Sequence, residues 1–96
     1  MKKNLREVTP ERLAKYFDYG RRALTEAKAA INPAETVRAH EFLDMASRYY
    51  SDAQHFEQKG DVVTAFAALS YAHGWLDAGA RIGLFLVKNN ELFTVD

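Results

Sequence analysis

The chain has 96 residues, which is the size of one domain and leaves no room for a second. Its 13 basic and 13 acidic residues give a formal net charge of zero, which argues against a general nucleic-acid binder because such proteins carry a basic excess. Disulfides and thiolate metal sites are excluded because the chain has no cysteine.

The first predicted helix spans about residues 10–31. Thr9 followed by Pro10 is typical of a helix start. A hydroxyl side chain caps free N–H groups there, and in the first turn the missing N–H of proline costs no hydrogen bond. Apolar and small residues then recur at alternating steps of four and three, the spacing of one helix face (Leu13, Phe17, Gly20, Leu24, Ala27, Ile31). Pro33 predicts the end of this helix, since the residue before a proline avoids the helical conformation.

The second predicted helix spans about residues 34–59. Its apolar face follows the same alternating spacing (Ala39, Phe42, Ala46, Tyr49, Ala53, Phe56). Lys59 followed by Gly60 indicates a helix end, because a cation interacts favourably with the negative end of the helix dipole and glycine adopts the left-handed conformation that follows many helices.

The third predicted helix spans about residues 61–87, with Asp61 as its N-cap. The remaining tail, residues 88–96, is too short to classify. Leu92 and Phe93 are the tail residues that we expect to fold back onto the helices. Matched helix lengths and short loops favour an all-α, antiparallel up-and-down three-helix bundle, in a single domain over residues 1–96.

A membrane-spanning interpretation of the third helix is weak. Between Val62 and Val87 only Asp77 and Arg81 carry full charge, and about 20 mostly apolar residues suffice to span a bilayer. A charged pair inside the bilayer would nevertheless cost several kcal/mol. The first residues are basic but precede no apolar run, so we predict no signal peptide and expect a cytoplasmic protein.

The third predicted helix is apolar nearly all round, which is typical of a helix that is buried on most sides. Small residues dominate one stripe of it, and large side chains flank that stripe (Phe66, Tyr71, Trp75, Ile82, Leu84, Phe85). Two neighbouring helices cover only part of a third, so apolar surface remains for the tail or for a partner. A homodimer is the first partner to consider, because it is the commonest soluble assembly. This prediction depends on one continuous helix from Val62 to Val87.

The run from Ser70 to Phe85, SYAHGWLDAGARIGLF, resembles a family of short archaeal proteins known as domain of unknown function 357. The run Lys59-Gly60-Asp61 also resembles that family's entry into the same helix. The resemblance implies an archaeal cytosolic origin and a three-helix up-and-down bundle. It implies no activity.

Two hypotheses of function remain open. The first is a non-catalytic protein-interaction or scaffold module, a homodimer or the partner of another protein. Its surface lies on the third helix (Gly74, Trp75, Asp77, Ala78, Arg81, Phe85). The second is a small-molecule or RNA-acting protein with a polar cleft (Tyr71, His73, Asp77, Arg81). Whether the protein is an enzyme stays open, with the balance against it, because the sequence indicates no catalytic residue, metal site or cofactor.

Each polar candidate also has a simpler interpretation. Asp77 and Arg81 are four residues apart with the acid first, which is the favoured order for an ion pair on a helix surface. His73 lies beside the apolar stripe and is interpreted as a largely buried histidine, because the sequence supplies no nucleophile for it to activate. His40 and Asp44 have a spacing that suits two metal ligands, but a solvated charged face explains them more simply.

Overall fold

A computed structural model describes residues 7–95 of the chain. It has three helices, α1 (Pro10–Ala29), α2 (Thr36–Gln58) and α3 (Val62–Arg81), with a short 3-10 turn at Pro33–Glu35 before α2. Helix α3 packs against both α2 and α1, whereas α1 and α2 contact each other less. The predicted all-α three-helix bundle is confirmed.

The N-terminal caps of α1 and α3 lie where the sequence predicts them. Thr9 Oγ1 accepts a hydrogen bond from the backbone N–H of Arg12 at 3.1 Å. Asp61 Oδ1 accepts one from the backbone N–H of Thr64 at 3.0 Å. Hydrogen bonding by Thr64, mainly through its side chain and also through its backbone, lowers the pKa of the Asp61 carboxyl. Both side chains satisfy donors that the first turn of a helix leaves free.

Helices α2 and α3 end in the same way, with a glycine in the left-handed conformation. Gly60 and Gly83 both have a φ of 82°. After α3, the N–H of Leu84 donates to the carbonyl of Gly79 at 2.8 Å, and the N–H of Gly83 donates to that of Ala80 at 3.3 Å. This double closure is a Schellman motif, which satisfies carbonyls at the end of a helix.

The predicted extent of the third helix is therefore wrong at its C-terminal end. Helix α3 stops at Arg81, six residues before the predicted end at Val87, because Gly83 reverses the chain. No helix formed by residues 7–95 combines the length and the apolar character that crossing a bilayer requires.

Beyond Gly83 the chain returns to the loop that joins α1 to α2. The backbone N–H of Asn32 donates to the carbonyl of Leu84 at 2.9 Å, and that of Leu86 donates to the carbonyl of Ala30 at 2.7 Å. The Asn32 side chain donates to the carbonyl of Gly83, also at 2.9 Å. These bonds hold residues 84–86 across the end of the bundle.

Alanines line the interface between α2 and α3, which lets the two helices approach closely. Those with no more than 1% exposure are Ala39, Ala46, Ala53, Ala65 and Ala72. Leu92 and Phe93 of the tail are each only 2% exposed and join the core that contains Leu76 and Phe85. The expectation that these two tail residues fold back onto the helices is confirmed.

Candidate interaction surface

An open groove of about 670 Å³ lies along the outer side of α3 and is bounded on one side by α2. Its lining is uncharged and almost entirely apolar. The lining residues are Phe42, Ala67, Ser70, Tyr71, Gly74, Trp75 and Ala78. We call this surface the α3 groove. It brings together four of the residues predicted from the sequence, namely Tyr71, Gly74, Trp75 and Ala78.

Two pairs of aromatic rings border the α3 groove. Trp75 is half-buried and meets Phe42 edge to face, with 5.0 Å between the ring centroids. Tyr71 is 64% exposed although its ring stacks on that of Tyr49 at 5.3 Å. Both geometries are favourable for aromatic pairs, so the rings are held in place before anything binds.

Small residues form the rest of the groove. Ala67, Gly74 and Ala78 recur along α3 at helical spacing, and all three are exposed. A Cβ atom placed on Gly74 would meet no atom of residues 7–95 within 4 Å. The middle of the groove is therefore a shallow furrow beside the rings of Tyr71 and Trp75.

His73, Asp77 and Arg81 lie on a different side of α3, where they meet the C-terminal tail. Asp77 Oδ1 accepts a hydrogen bond from the backbone N–H of Thr94, and Arg81 Nη1 donates to the carbonyl of Thr94 at 3.3 Å. The His73 ring stacks on that of Phe93, with centroids 6.5 Å apart. This side of α3 is thus covered by the chain itself.

That arrangement corrects the predicted ion pair between Asp77 and Arg81. No such pair occurs among residues 7–95, because Asp77 bonds to the backbone N–H of Thr94 and Arg81 to its carbonyl instead. The four residues of the predicted polar cleft are also divided between two surfaces. Tyr71 lines the α3 groove, whereas His73, Asp77 and Arg81 contact the tail.

Phe85 was predicted as a surface residue, and this prediction is wrong. It is 1% exposed, and its ring packs against α3 at Gly79. The physical reason is the chain reversal at Gly83, which turns Phe85 toward the core, where it pairs with Ile31 in an isolated antiparallel bridge.

Sequence reasoning assigned Phe42 to the core and did not consider Ala67 as part of a contact surface. Phe42 belongs to the apolar face of α2, and periodicity alone does not distinguish the buried middle of such a face from its edge. Ala67 is seven residues before Gly74 and four before Tyr71. Extending the helical spacing backward from those two residues would have found it.

A smaller cavity of about 260 Å³ lies between α1, α3 and the tail. Its lining includes Tyr16, Tyr19, His73 and Glu91. Arg22 lies 3.7 Å from Glu91, and the Lys15 ammonium lies 5.6 Å from the Tyr19 ring centroid, so charged groups already neighbour this cavity. Within residues 7–95, no three His, Asp or Glu side chains are grouped so that they could hold a metal ion.

Residues 15–85 match a family described as "Protein of unknown function (DUF357)". The chain belongs to this family. The matched region includes all of α2 and α3 and most of α1. No curated protein and no solved structure matches the chain. The family description carries no activity, and the archaeal origin and cytoplasmic location stay predictions.

Removing the Asp77 carboxylate is expected to loosen the tail. The variant Asp77→Ala leaves the Thr94 N–H without its acceptor, and a hydrogen bond of this kind contributes about 1 kcal/mol. Amide hydrogen exchange of residues 92–95, followed by mass spectrometry, should therefore be faster. Asp77→Asn is the matched control, because its amide oxygen still accepts. Equal exchange rates in the wild type and Asp77→Ala would contradict this role.

Proposed function

We propose that this protein is a non-catalytic interaction module that forms a homodimer through the α3 groove. The observation that carries the proposal is an uncharged, apolar groove that residues 7–95 leave open while the tail covers another side of α3. Contiguous exposed apolar surface of this kind is typical of a site of protein contact.

Gly74 supports this proposal because no packing within the described residues accounts for it. Gly60 and Gly83 adopt left-handed conformations, and a Cβ on Gly20 or Gly79 would meet a neighbouring aromatic ring within 3.2 Å. A Cβ on Gly74 would meet nothing within 4 Å. Glycine inside an exposed helix costs about 1 kcal/mol relative to alanine. Close approach by another molecule explains why that cost is tolerated.

The charges around the groove favour a second copy of the chain over a strongly charged partner. No charged side chain of residues 7–95 lines the groove, and α2, which borders it, carries charges of both signs, as in the ion pair of Arg48 with Asp44 at 2.9 Å. The formal net charge of the whole chain is zero, so two copies do not repel each other through their net charge. A nucleic acid or a highly charged peptide would find no complementary field here.

The available area is sufficient for a small dimer. The 20 residues of α3 extend over about 30 Å, and a face two packed helices wide measures about 20 Å. The flat area of such a face is about 600 Å². Its solvent-accessible area is larger, because side chains make the face uneven. A standard interface buries about 800 Å² on each partner.

Light scattering across a range of protein concentrations tests the homodimer. We expect the wild-type mass to rise from 10.9 kDa toward twice that value, and Gly74→Leu to weaken association at least about tenfold because the added side chain holds the two copies apart. Ala14→Leu is the matched control, since it places the same side chain at an exposed position on α1. A strictly monomeric wild type at high concentration would overturn the proposal.

A further inference from the structure

We infer that the two copies of α3 pack antiparallel about a two-fold axis that passes between Gly74 and Trp75. This inference rests on the proposed homodimer and specifies its geometry. It follows from the positions and sizes of five of the six residues that α3 contributes to the groove lining, namely Ala67, Tyr71, Gly74, Trp75 and Ala78, and of Ile82, which follows Ala78 at helical spacing. The last of these is the C-cap of α3 and is 54% exposed.

The spacing of these six residues is symmetric about the midpoint between Gly74 and Trp75. Successive intervals are four, three, one, three and four residues. Their sizes are inverted about the same point, because each small residue on one side corresponds to a large one on the other. A two-fold axis at the midpoint, perpendicular to both helices, brings each position to the level of its symmetric counterpart in the second copy.

Two pairs of unequal size result on each side of the axis. Tyr71 faces the partner's Ala78, and Ile82 faces the partner's Ala67, whereas Gly74 and Trp75 flank the axis and lie beside their own copies. A large side chain in each pair fills the space above a small one, which is how packed helices interdigitate. The ring of Trp75 is also half-buried against Phe42, so it offers the partner a surface already fixed in position.

A parallel arrangement about an axis along the helices does not achieve this packing. It would bring every one of the six positions near its own copy, so that Tyr71 meets Tyr71 and Ile82 meets Ile82, while the alanines also meet their own copies. Large residues would then hold the helices apart, and voids would remain between the small ones. Among the described residues no charged side chain lines the groove, so neither arrangement gains an ion pair there. Size complementarity therefore decides the orientation.

Disulfide cross-linking tests the orientation, and the absence of cysteine from the chain makes introduced thiols unambiguous. We expect a mixture of Tyr71→Cys and Ala78→Cys proteins to form covalent dimers under mild oxidation at least about tenfold faster than either variant alone. A disulfide requires Cα atoms within about 7 Å, and for residues 71 and 78 the antiparallel pairing provides this only between the two different positions. Faster cross-linking of a single variant with itself would overturn the antiparallel register.

A size exchange provides a second test that does not depend on cross-linking. Ala78→Tyr places two tyrosines against each other and should weaken association at least about tenfold, whereas the double variant Tyr71→Ala with Ala78→Tyr restores one large and one small residue in each pair and should recover most of that loss. A wild type that dimerises, with no recovery in the double variant, overturns this register alone. A monomeric wild type overturns the proposed function instead.

Discussion

Replacing Phe85 with alanine is expected to lower the free energy of unfolding by about 3–5 kcal/mol, the usual cost of removing a buried aromatic ring. Phe85 is 1% exposed and packs in the core cluster with Leu76, Leu92 and Phe93. Truncation therefore removes apolar burial and leaves a cavity next to α3. Urea denaturation at a protein concentration where the chain is monomeric measures the change.

The adjacent residue supplies the matched control. Leu86 is 58% exposed, so Leu86→Ala should change the free energy of unfolding by no more than about 0.5 kcal/mol. Two neighbouring residues of similar hydrophobicity should thus differ by several kcal/mol. Similar losses at both positions would contradict the chain reversal at Gly83, which places one side chain inside the protein and the other outside.

Replacing Gly79 with alanine is expected to lower the free energy of unfolding by about 1–3 kcal/mol, although alanine is the better helix former. The added Cβ would lie 2.8 Å from Cδ2 of Phe85 and 3.4 Å from Cδ2 of Phe42. The Phe85 ring is buried on all sides and has little space to move. Overpacking therefore outweighs the gain of about 1 kcal/mol in helix propensity.

Gly74→Ala is the matched control for Gly79→Ala, with the same substitution five residues earlier in the same helix. Its Cβ meets nothing within 4 Å, so the monomer should gain up to about 1 kcal/mol. The two variants are compared by urea denaturation below the concentration at which the wild type associates. In a Phe85→Ala background, the cost of Gly79→Ala should largely disappear. A stabilising Gly79→Ala in the wild-type background would mean that Phe85 does not pack where the structure places it.

The short-range features of this fold were predictable from the sequence. Thr9 and Asp61 cap N–H groups three residues further on, and Gly60 ends α2 through a backbone conformation that few other residues adopt. All three effects involve only neighbours in the sequence. The all-α class and the three helices follow from apolar spacing that is sustained over many turns.

Gly83 shows where local reasoning failed. It follows Arg81 in the last turn much as Gly60 follows Lys59, so the same signal for a helix end was present. Gly83 also lies four residues after Gly79, in the small-residue stripe of the third helix. That spacing favoured the prediction that the helix continues past Gly83 to Val87. The two interpretations conflict, and only the contacts of the following residues distinguish them. The predicted continuity to Val87 was wrong, yet the α3 groove lies wholly before the break.

By itself, the sequence determined that α3 is apolar around most of its circumference, and that two neighbouring helices cannot cover all of this apolar surface. Which side stays uncovered was decided by the tertiary structure. The tail is held by hydrogen bonds of Thr94 with Asp77 and Arg81, which join residues more than twelve positions apart. It is also held by buried Phe93, which completes a core whose shape depends on all three helices. Periodicity assigns a residue to a face of its own helix, but the neighbour of that face depends on where the rest of the chain finds space to bury its apolar side chains.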